Sequence, residues 1–109
     1  MSIRVEFYDK VEWRDEFDQL HYEDGPAVEY ANGTRFWYVN GHPHRVGAPA
    51  IEWANGTCEW WVNGLLHRVD GPAVEWADGS HYCSLFGVEV ADDAVTRLRF
   101  LDIEEEAIS

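Results

Sequence analysis

The chain has 109 residues and a formal net charge of −13, with 21 acidic side chains against 8 lysines and arginines. This excess of carboxylates argues against direct binding to nucleic acid or to an anionic membrane surface, since both attract clustered basic side chains. Hydrophobic residues make up 46% of the chain, so we expect a folded core and no extensive disorder. Without a membrane-length apolar run or a recognisable secretory signal, we expect one cytoplasmic domain.

Residues 1–19 are predicted to form a degenerate half-repeat that caps the rest of the chain. The Val-Glu-Phe triplet at 5–7 matches the Val-Glu-Tyr triplet at 28–30, which lies 23 residues later. In this alignment Trp13 falls at the position of Phe36. Open repeat arrays need such capping units to cover their ends.

Three 23-residue units follow over residues 20–87, without an insertion. The centre of each unit reads Pro-Ala-(Val/Ile)-Glu-(Tyr/Trp)-Ala-(Asn/Asp)-Gly-(Thr/Ser). Asn32-Gly33 and its equivalents predict a type I′ hairpin turn, in which both central residues have positive φ. Asn40-Gly41 and Asn63-Gly64 predict a second turn in each unit, and the intervening β-branched and aromatic runs predict strands.

Strand alternation predicts a row of glutamates on one face of this sheet. Glu29, Glu52 and Glu75 point away from the apolar positions beside them, because successive strand residues face opposite sides. The row is either an ordinary solvated face or an acidic stripe for a basic partner. Arginines could relieve the repulsion within the row, but the sequence alone does not assign Arg45 or Arg68 to it.

The last segment, residues 88–109, departs from the repeat. Val88-Glu89-Val90 predicts a final strand, and Asp92-Asp93 is suited to cap a following helix. Ala94, Val95, Leu98 and Leu101 would form its apolar stripe, which we expect to close the open end of the array. The three parts are predicted to form a single domain.

The repeat is similar to a known family. The run Trp61-Val62-Asn63-Gly64-Leu65-Leu66-His67 resembles the Trp-x-x-Gly core of MORN repeats, which share the 23-residue period. The run from Asn63-Gly64 to His67-Arg68-Val69-Asp70-Gly71-Pro72-Ala73 resembles a MORN-like variant of bacteria, phages and large viruses. The resemblance covers residues 20 to about 87. It implies a mainly β, single-layer array of stacked antiparallel β-hairpins, with scaffolding or partner binding as its function.

Histidines and cysteines provide only weak candidates for chemistry. His42 and His44 could bind a metal together with His67 or Cys58, but the 23-residue recurrence of His21, His44 and His67 favours a structural role at the corner between units. Cys58 and Cys83 replace other residue types at their repeat positions, which favours drift over catalysis, although a disulfide between them is conceivable. We therefore predict no catalytic residue, metal or cofactor.

Adjacent aromatics leave two alternatives open. Trp60 and Trp61, like Phe36-Trp37-Tyr38, must face opposite sides of a strand. Either both faces are packed, or one presents an exposed aromatic patch for a protein partner or a carbohydrate.

Taken together, these features predict a non-enzymatic, acidic protein-binding module. Its partner would carry a basic surface, as nucleases and other nucleic-acid-binding complexes do. A narrower hypothesis is a phage-encoded inhibitor that mimics nucleic acid and acts on a defence protein in the host cytoplasm. The alternative is a self-assembling scaffold, with a homodimer as its simplest form. The candidate partner-binding residues are Glu29, Glu52, Glu75, Trp37, Trp60, Trp61, Asp102, Glu104, Glu105 and Glu106.

Overall fold

The computed structural model describes residues 2–90. This part of the chain contains 14 short β-strands and no helix, which confirms a mainly β fold of antiparallel hairpins. The helix predicted after Asp92-Asp93 lies outside the described residues. The strands are β1 (Ile3–Glu6), β2 (Lys10–Arg14), β3 (Val28–Tyr30), β4 (Arg35–Phe36), β5 (Tyr38–Val39), β6 (His42–Pro43), β7 (Ile51–Glu52), β8 (Cys58–Glu59), β9 (Trp61–Val62), β10 (Leu65–Leu66), β11 (Val74–Glu75), β12 (His81–Tyr82), β13 (Ser84–Leu85) and β14 (Val88–Glu89).

Eight of these strands form one antiparallel sheet in the order β1-β2-β3-β4-β7-β8-β11-β12. Phe36 pairs with Val28 on one side and Ile51 on the other, and Glu59 pairs with Ile51 and Val74. Cross-strand partners face the same side of a sheet, so these five residues share one face. We call it the aromatic face.

The opposite side of the sheet is the glutamate face. Arg35 pairs with Glu29 and Glu52, and Cys58 pairs with Glu52 and Glu75. The register therefore confirms that the three glutamates share one face, as the alternation predicts.

Three two-stranded ribbons, β5-β6, β9-β10 and β13-β14, alternate along the chain with the strands of this sheet. A single residue separates each ribbon from the sheet strand before it. In the first unit this residue is Trp37. Neighbouring ribbons are joined by backbone hydrogen bonds. The Gly64 N–H donates to the Pro43 carbonyl at 2.9 Å, and the same bond recurs 23 residues later at 2.8 Å.

The first turn of each unit differs from the predicted type I′ geometry. Gly33 has a φ of 97°, whereas Asn32 does not have positive φ. The Gly33 N–H donates to the Tyr30 carbonyl at 3.0 Å, and the Asn32 side chain accepts the Thr34 N–H at 2.9 Å. This is a three-residue loop, a type I turn followed by a left-handed glycine. Asn32 serves as a local hydrogen-bond acceptor, so the type I′ prediction is wrong here.

The second turn has the geometry that an Asn-Gly pair favours. Asn40 (53°) and Gly41 (80°) both have positive φ, and so do Asn63 (49°) and Gly64 (81°). Each pair forms a two-residue type I′ loop within its ribbon. In the third unit Phe86 occupies the asparagine position with a φ of 48°.

The first hairpin is shifted by one residue relative to the sequence alignment. Glu12 pairs with Val28, as Phe36 does on the other side of the same strand. The alignment predicts that Trp13 takes the position of Phe36, but in the structure it does not. Its N–H donates to a backbone carbonyl across the sheet at 2.7 Å, as the N–H of Trp37 does. The shift arises because the β1-β2 loop is one residue shorter than the β3-β4 loop.

The buried core is thin and consists of small and β-branched side chains. The described part of the molecule is flat and measures 46 × 36 × 18 Å. No helix in this part is long and apolar enough to cross a membrane. The buried apolar residues are Ala27, Val28, Ala50, Ile51, Ala73, Val74, Cys83 and Leu85.

Candidate interaction surfaces

The row of glutamates on the glutamate face is paired with arginines. Arg35 Nε donates to the Glu29 carboxylate at 3.0 Å, and Arg68 lies 3.0 Å from Glu75. Arg45 approaches the Glu52 carboxylate to 3.6 Å. The row therefore carries far less unbalanced negative charge than the sequence alone indicates.

Two tryptophans on the same face lie beneath these arginines. The Arg45 guanidinium lies 3.7 Å from the centre of the Trp37 ring, and that of Arg68 lies 3.9 Å from the centre of Trp60. Each arginine also donates to a proline carbonyl in its own unit, at 3.1 and 3.2 Å. The stacks leave Trp37 and Trp60 half-buried, so neither ring forms an open aromatic patch.

A groove of about 370 Å³ lies beside these stacks, among the second and third ribbons. Its walls are mostly apolar and include Val46, Val62 and Phe86 together with Trp60. The Trp60 Nε1 is buried and has no hydrogen-bond acceptor among the described residues.

The aromatic face carries a second group of rings. Phe36 makes edge contacts with Tyr30 and Trp53, with ring centres 5.6 and 5.3 Å apart. Trp53 and its equivalent Trp76 remain 41% and 44% exposed. The adjacent aromatics to which the two alternatives refer are all half-buried, and the exposed rings of this face belong to other repeat positions.

One carboxylate lies among these rings. Glu59 accepts hydrogen bonds from two indole N–H groups, that of Trp53 at 2.6 Å and that of Trp61 at 2.9 Å. Of the tryptophans predicted as partner-binding residues, Trp61 alone belongs to this cluster. Burial, together with the nearby Glu59 carboxylate, raises the pKa of Tyr38.

A buried carboxylate anchors the N-terminal hairpin. Glu12 is only 5% exposed, with Lys10 Nζ at 2.9 Å and the Arg14 guanidinium at 3.0 Å. Burial raises the pKa of Glu12, but the hydrogen bonds from Lys10 and Arg14 outweigh it and hold the pKa below its ordinary value. This ion pair is structural, and sequence analysis missed it because the one-residue shift was not recognised.

The three recurring histidines have the structural role expected of them. The Nδ1 atoms of His21 and His44 accept the backbone N–H groups of Asn40 and Asn63 at 2.9 and 3.0 Å, and His67 accepts its counterpart in the same way. Each bond ties one ribbon turn to a histidine that lies 19 residues earlier in the same unit. Residues 2–90 contain no group of three or more His, Cys, Asp or Glu side chains that could hold a metal ion.

No disulfide joins Cys58 and Cys83. Cys83 is buried in the core, and Cys58 lies on the glutamate face. Burial raises the pKa of the Cys58 thiol, and the neighbouring carboxylates of Glu52 and Glu75 raise it further. A raised pKa keeps the thiol protonated at neutral pH and lowers its nucleophilicity.

The sequence signal for the aromatic-face cluster lies at a single repeat position. Glu59 stands where the other two units have Phe36 and Tyr82, so a carboxylate replaces a ring. The remaining predicted partner-binding residues, Asp102, Glu104, Glu105 and Glu106, lie outside the described residues.

The distribution of ion pairs leaves the surface strongly acidic. Residues 2–90 contain 15 acidic and six basic side chains, and each of the six basic ones forms a salt bridge. In the same range Asp9, Glu16 and Asp24 are exposed and form no salt bridge.

Comparison of the chain with protein-family models, curated proteins and solved structures gave no match. The resemblance to MORN-like repeats therefore rests on the motif residues themselves.

Proposed function

We propose that this chain is a non-enzymatic, acidic protein-binding module of the MORN-like type, whose partner presents a basic surface. One observation carries the proposal: every basic side chain of residues 2–90 is already bound to a carboxylate, while surplus acidic groups remain unpaired. A partner must therefore bring its own positive charge. Complementary charge also speeds the encounter of two proteins and discriminates against acidic competitors.

The chemistry of such a partner is that of proteins that bind nucleic acids. Their binding surfaces collect lysine and arginine to neutralise phosphates, and an acidic β-sheet protein can compete for those groups. We extend the proposal to inhibition of a nuclease or a related defence complex, in the cytoplasm of a bacterial host if the chain is phage-encoded. Charge, small size and the motif resemblance support this extension.

The proposal is tested by capture from bacterial lysate on the immobilised full-length chain, followed by mass spectrometry. We expect basic proteins to be retained at low salt and released at about 0.5 M salt, where screening is effective within a few ångströms. The comparison is a D9N/E16Q/D24N variant, which removes three unpaired charges and leaves every salt bridge intact. We expect this variant to retain less of the basic proteins. Retention that is insensitive to salt would contradict the proposal, and so would equal retention by the variant and the unchanged chain.

Self-assembly is the second candidate, and the open edge of the sheet favours it. All four residues of β1, the outermost strand of the described sheet, are exposed, with Ile3 at 56%. Unpaired edge strands can hydrogen-bond to a second copy. Light scattering across a concentration series decides between the candidates, because a scaffold would grow in mass and the proposed binding module would stay a monomer.

A further inference from the structure

The protein repeatedly places its own arginines between an indole and a carboxylate. The Arg68 guanidinium lies 3.9 Å from the centre of Trp60 and 3.0 Å from the Glu75 carboxylate. Arg45 stacks on Trp37 in the same way one unit earlier. In this arrangement the ring holds the flat side of the guanidinium while the carboxylate binds its N–H groups.

At one place on the aromatic face, indoles and a carboxylate meet without a cation between them. Trp53 and Trp61 donate their indole N–H groups to the two oxygens of Glu59, at 2.6 and 2.9 Å. These bonds fix the orientation of the carboxylate. Among residues 2–90, no lysine, arginine or histidine forms a salt bridge with Glu59.

This cluster is partly exposed to solvent. Trp53 is 41% exposed, and its ring packs against the edge of Phe36, which lies 6.3 Å from Tyr38 between ring centres. Two indole N–H groups thus bind a carboxylate whose two oxygens retain lone pairs for further donors.

We propose that the cluster of Trp53, Glu59 and Trp61, here called the Trp-Glu-Trp site, binds an arginine side chain of the basic partner. The guanidinium would stack on the exposed surface of Trp53 and donate to Glu59. The inference rests on the proposed function and identifies where the partner is recognised. Arginine suits the site better than lysine because a planar guanidinium can stack on a ring and bond to a carboxylate together.

The test uses the full chain with ¹⁵N-labelled indoles and follows the Trp53 and Trp61 N–H signals by NMR. The probes are a blocked arginine (Nα-acetyl-arginine amide), the equivalent blocked lysine, and a blocked penta-arginine peptide. We expect both arginine probes to shift these two signals, with the peptide binding more tightly and the blocked lysine more weakly.

Variants separate this site from general charge attraction. Glu59→Gln keeps the size of the side chain but removes its charge, and it should weaken penta-arginine binding by about tenfold. Glu16→Gln is the matched control, because it makes the same change at an exposed, unpaired position outside the site. Because it also removes one unpaired charge, we expect it to weaken penta-arginine binding slightly, and much less than Glu59→Gln does. Trp53→Leu should also weaken binding, and the backbone amide spectrum shows whether each variant remains folded.

Several outcomes would overturn the site. These are Trp53 and Trp61 signals that do not move with arginine, equal binding by Glu59→Gln and Glu16→Gln, or shifts produced by a neutral oligosaccharide and not by arginine. The proposed function fails differently, through the absence of salt-sensitive capture of basic proteins. Capture that persists in Glu59→Gln would refute the Trp-Glu-Trp site and leave the acidic binding module standing.

Discussion

His21 shows how one side chain can hold a ribbon turn in place. It is 8% exposed, and its Nδ1 accepts the Asn40 N–H from 19 residues further along the chain. Since Nδ1 accepts, the ring must carry its proton on Nε2. The recurrence of this bond explains why histidine returns every 23 residues, and a purely apolar residue could not replace it.

We expect His21→Phe to lower the free energy of unfolding by about 1–2 kcal/mol, because the Asn40 N–H loses its acceptor. His42→Phe is the control, since His42 is exposed and lies in β6, in the ribbon whose turn contains Asn40. Urea denaturation measures both. Equal stabilities for the two variants would mean that the histidine bond contributes nothing.

Glu12 makes the stability of the N-terminal hairpin depend on pH. Its pKa is lowered in the folded state, so its contribution is present above the unfolded-state pKa, about 4.3, and is lost as the pH falls through the folded value. At pH 7, Glu12→Gln should cost about 1–3 kcal/mol, because Lys10 and Arg14 lose their charged partner.

The same comparison at acid pH tests the cause. The stability difference between Glu12→Gln and the unchanged chain should shrink as the pH falls below the unfolded-state pKa, about 4.3, and should be lost once the pH has fallen through the lowered folded-state pKa and Glu12 is protonated. Glu6→Gln, at an exposed position in the same hairpin, should show little difference at either pH. A constant Glu12→Gln difference from pH 7 to 3 would rule out an electrostatic origin.

At the scale of the elements, two asparagine-glycine turns with similar sequences have different geometries. Asn63 has a φ of 49°, and Asn55 does not have positive φ. Instead the Asn55 side chain accepts the N–H of Thr57 at 2.9 Å. Loop length decides between them, because a two-residue loop places asparagine in the left-handed region and a three-residue loop leaves only its glycine there.

Paired substitutions distinguish these turns. Asn63→Ala should be less stable than Asn63→Gly by about 1 kcal/mol, since alanine is strained at positive φ and glycine is not. At Asn55 the advantage of glycine should disappear, because both substitutions remove the same side-chain acceptor and alanine fits the backbone. Thermal unfolding of the four variants provides the measurement, and equal effects at both positions would contradict the assigned turns.

Sequence reasoning predicted the strands, the second turn and the face of the glutamate row, because these follow from alternation and glycine geometry. It could not pair Arg45 with Glu52, since those residues meet only when a ribbon folds back on the sheet. It also misplaced Trp13. The β1-β2 loop is one residue shorter than the β3-β4 loop, and this difference shifts β2 without being visible in the repeat motif. The role of Glu59 could not be predicted, because no motif indicates that two indole N–H groups meet at its carboxylate.

At the scale of the whole molecule, charge divides into a paired and an unpaired part. The glutamate face is largely neutralised by its arginines. Partner binding by Glu29, Glu52 and Glu75 therefore remains only a prediction, and their ion pairs with arginine make it less favourable. The candidates at Asp102 and Glu104 to Glu106 stay predictions as well.

Charge reversal tests the C-terminal candidates. Replacing Asp102, Glu104, Glu105 and Glu106 with lysine should weaken capture of basic proteins at low salt, because the attractive field falls. The control replaces Glu29 with lysine. It disturbs one surface ion pair and changes the net charge far less, so a smaller loss is expected. Capture that survives the fourfold reversal would exclude a role for this segment.

The engagement of every described basic side chain also governs how copies of this protein meet each other. With no free positive group in residues 2–90 to offer, two copies present like charges from most directions and repel at long range. Concentrated solutions at low ionic strength should therefore show a positive second virial coefficient. Added salt should bring the coefficient towards zero, and only then could contact between exposed sheet edges compete with the repulsion.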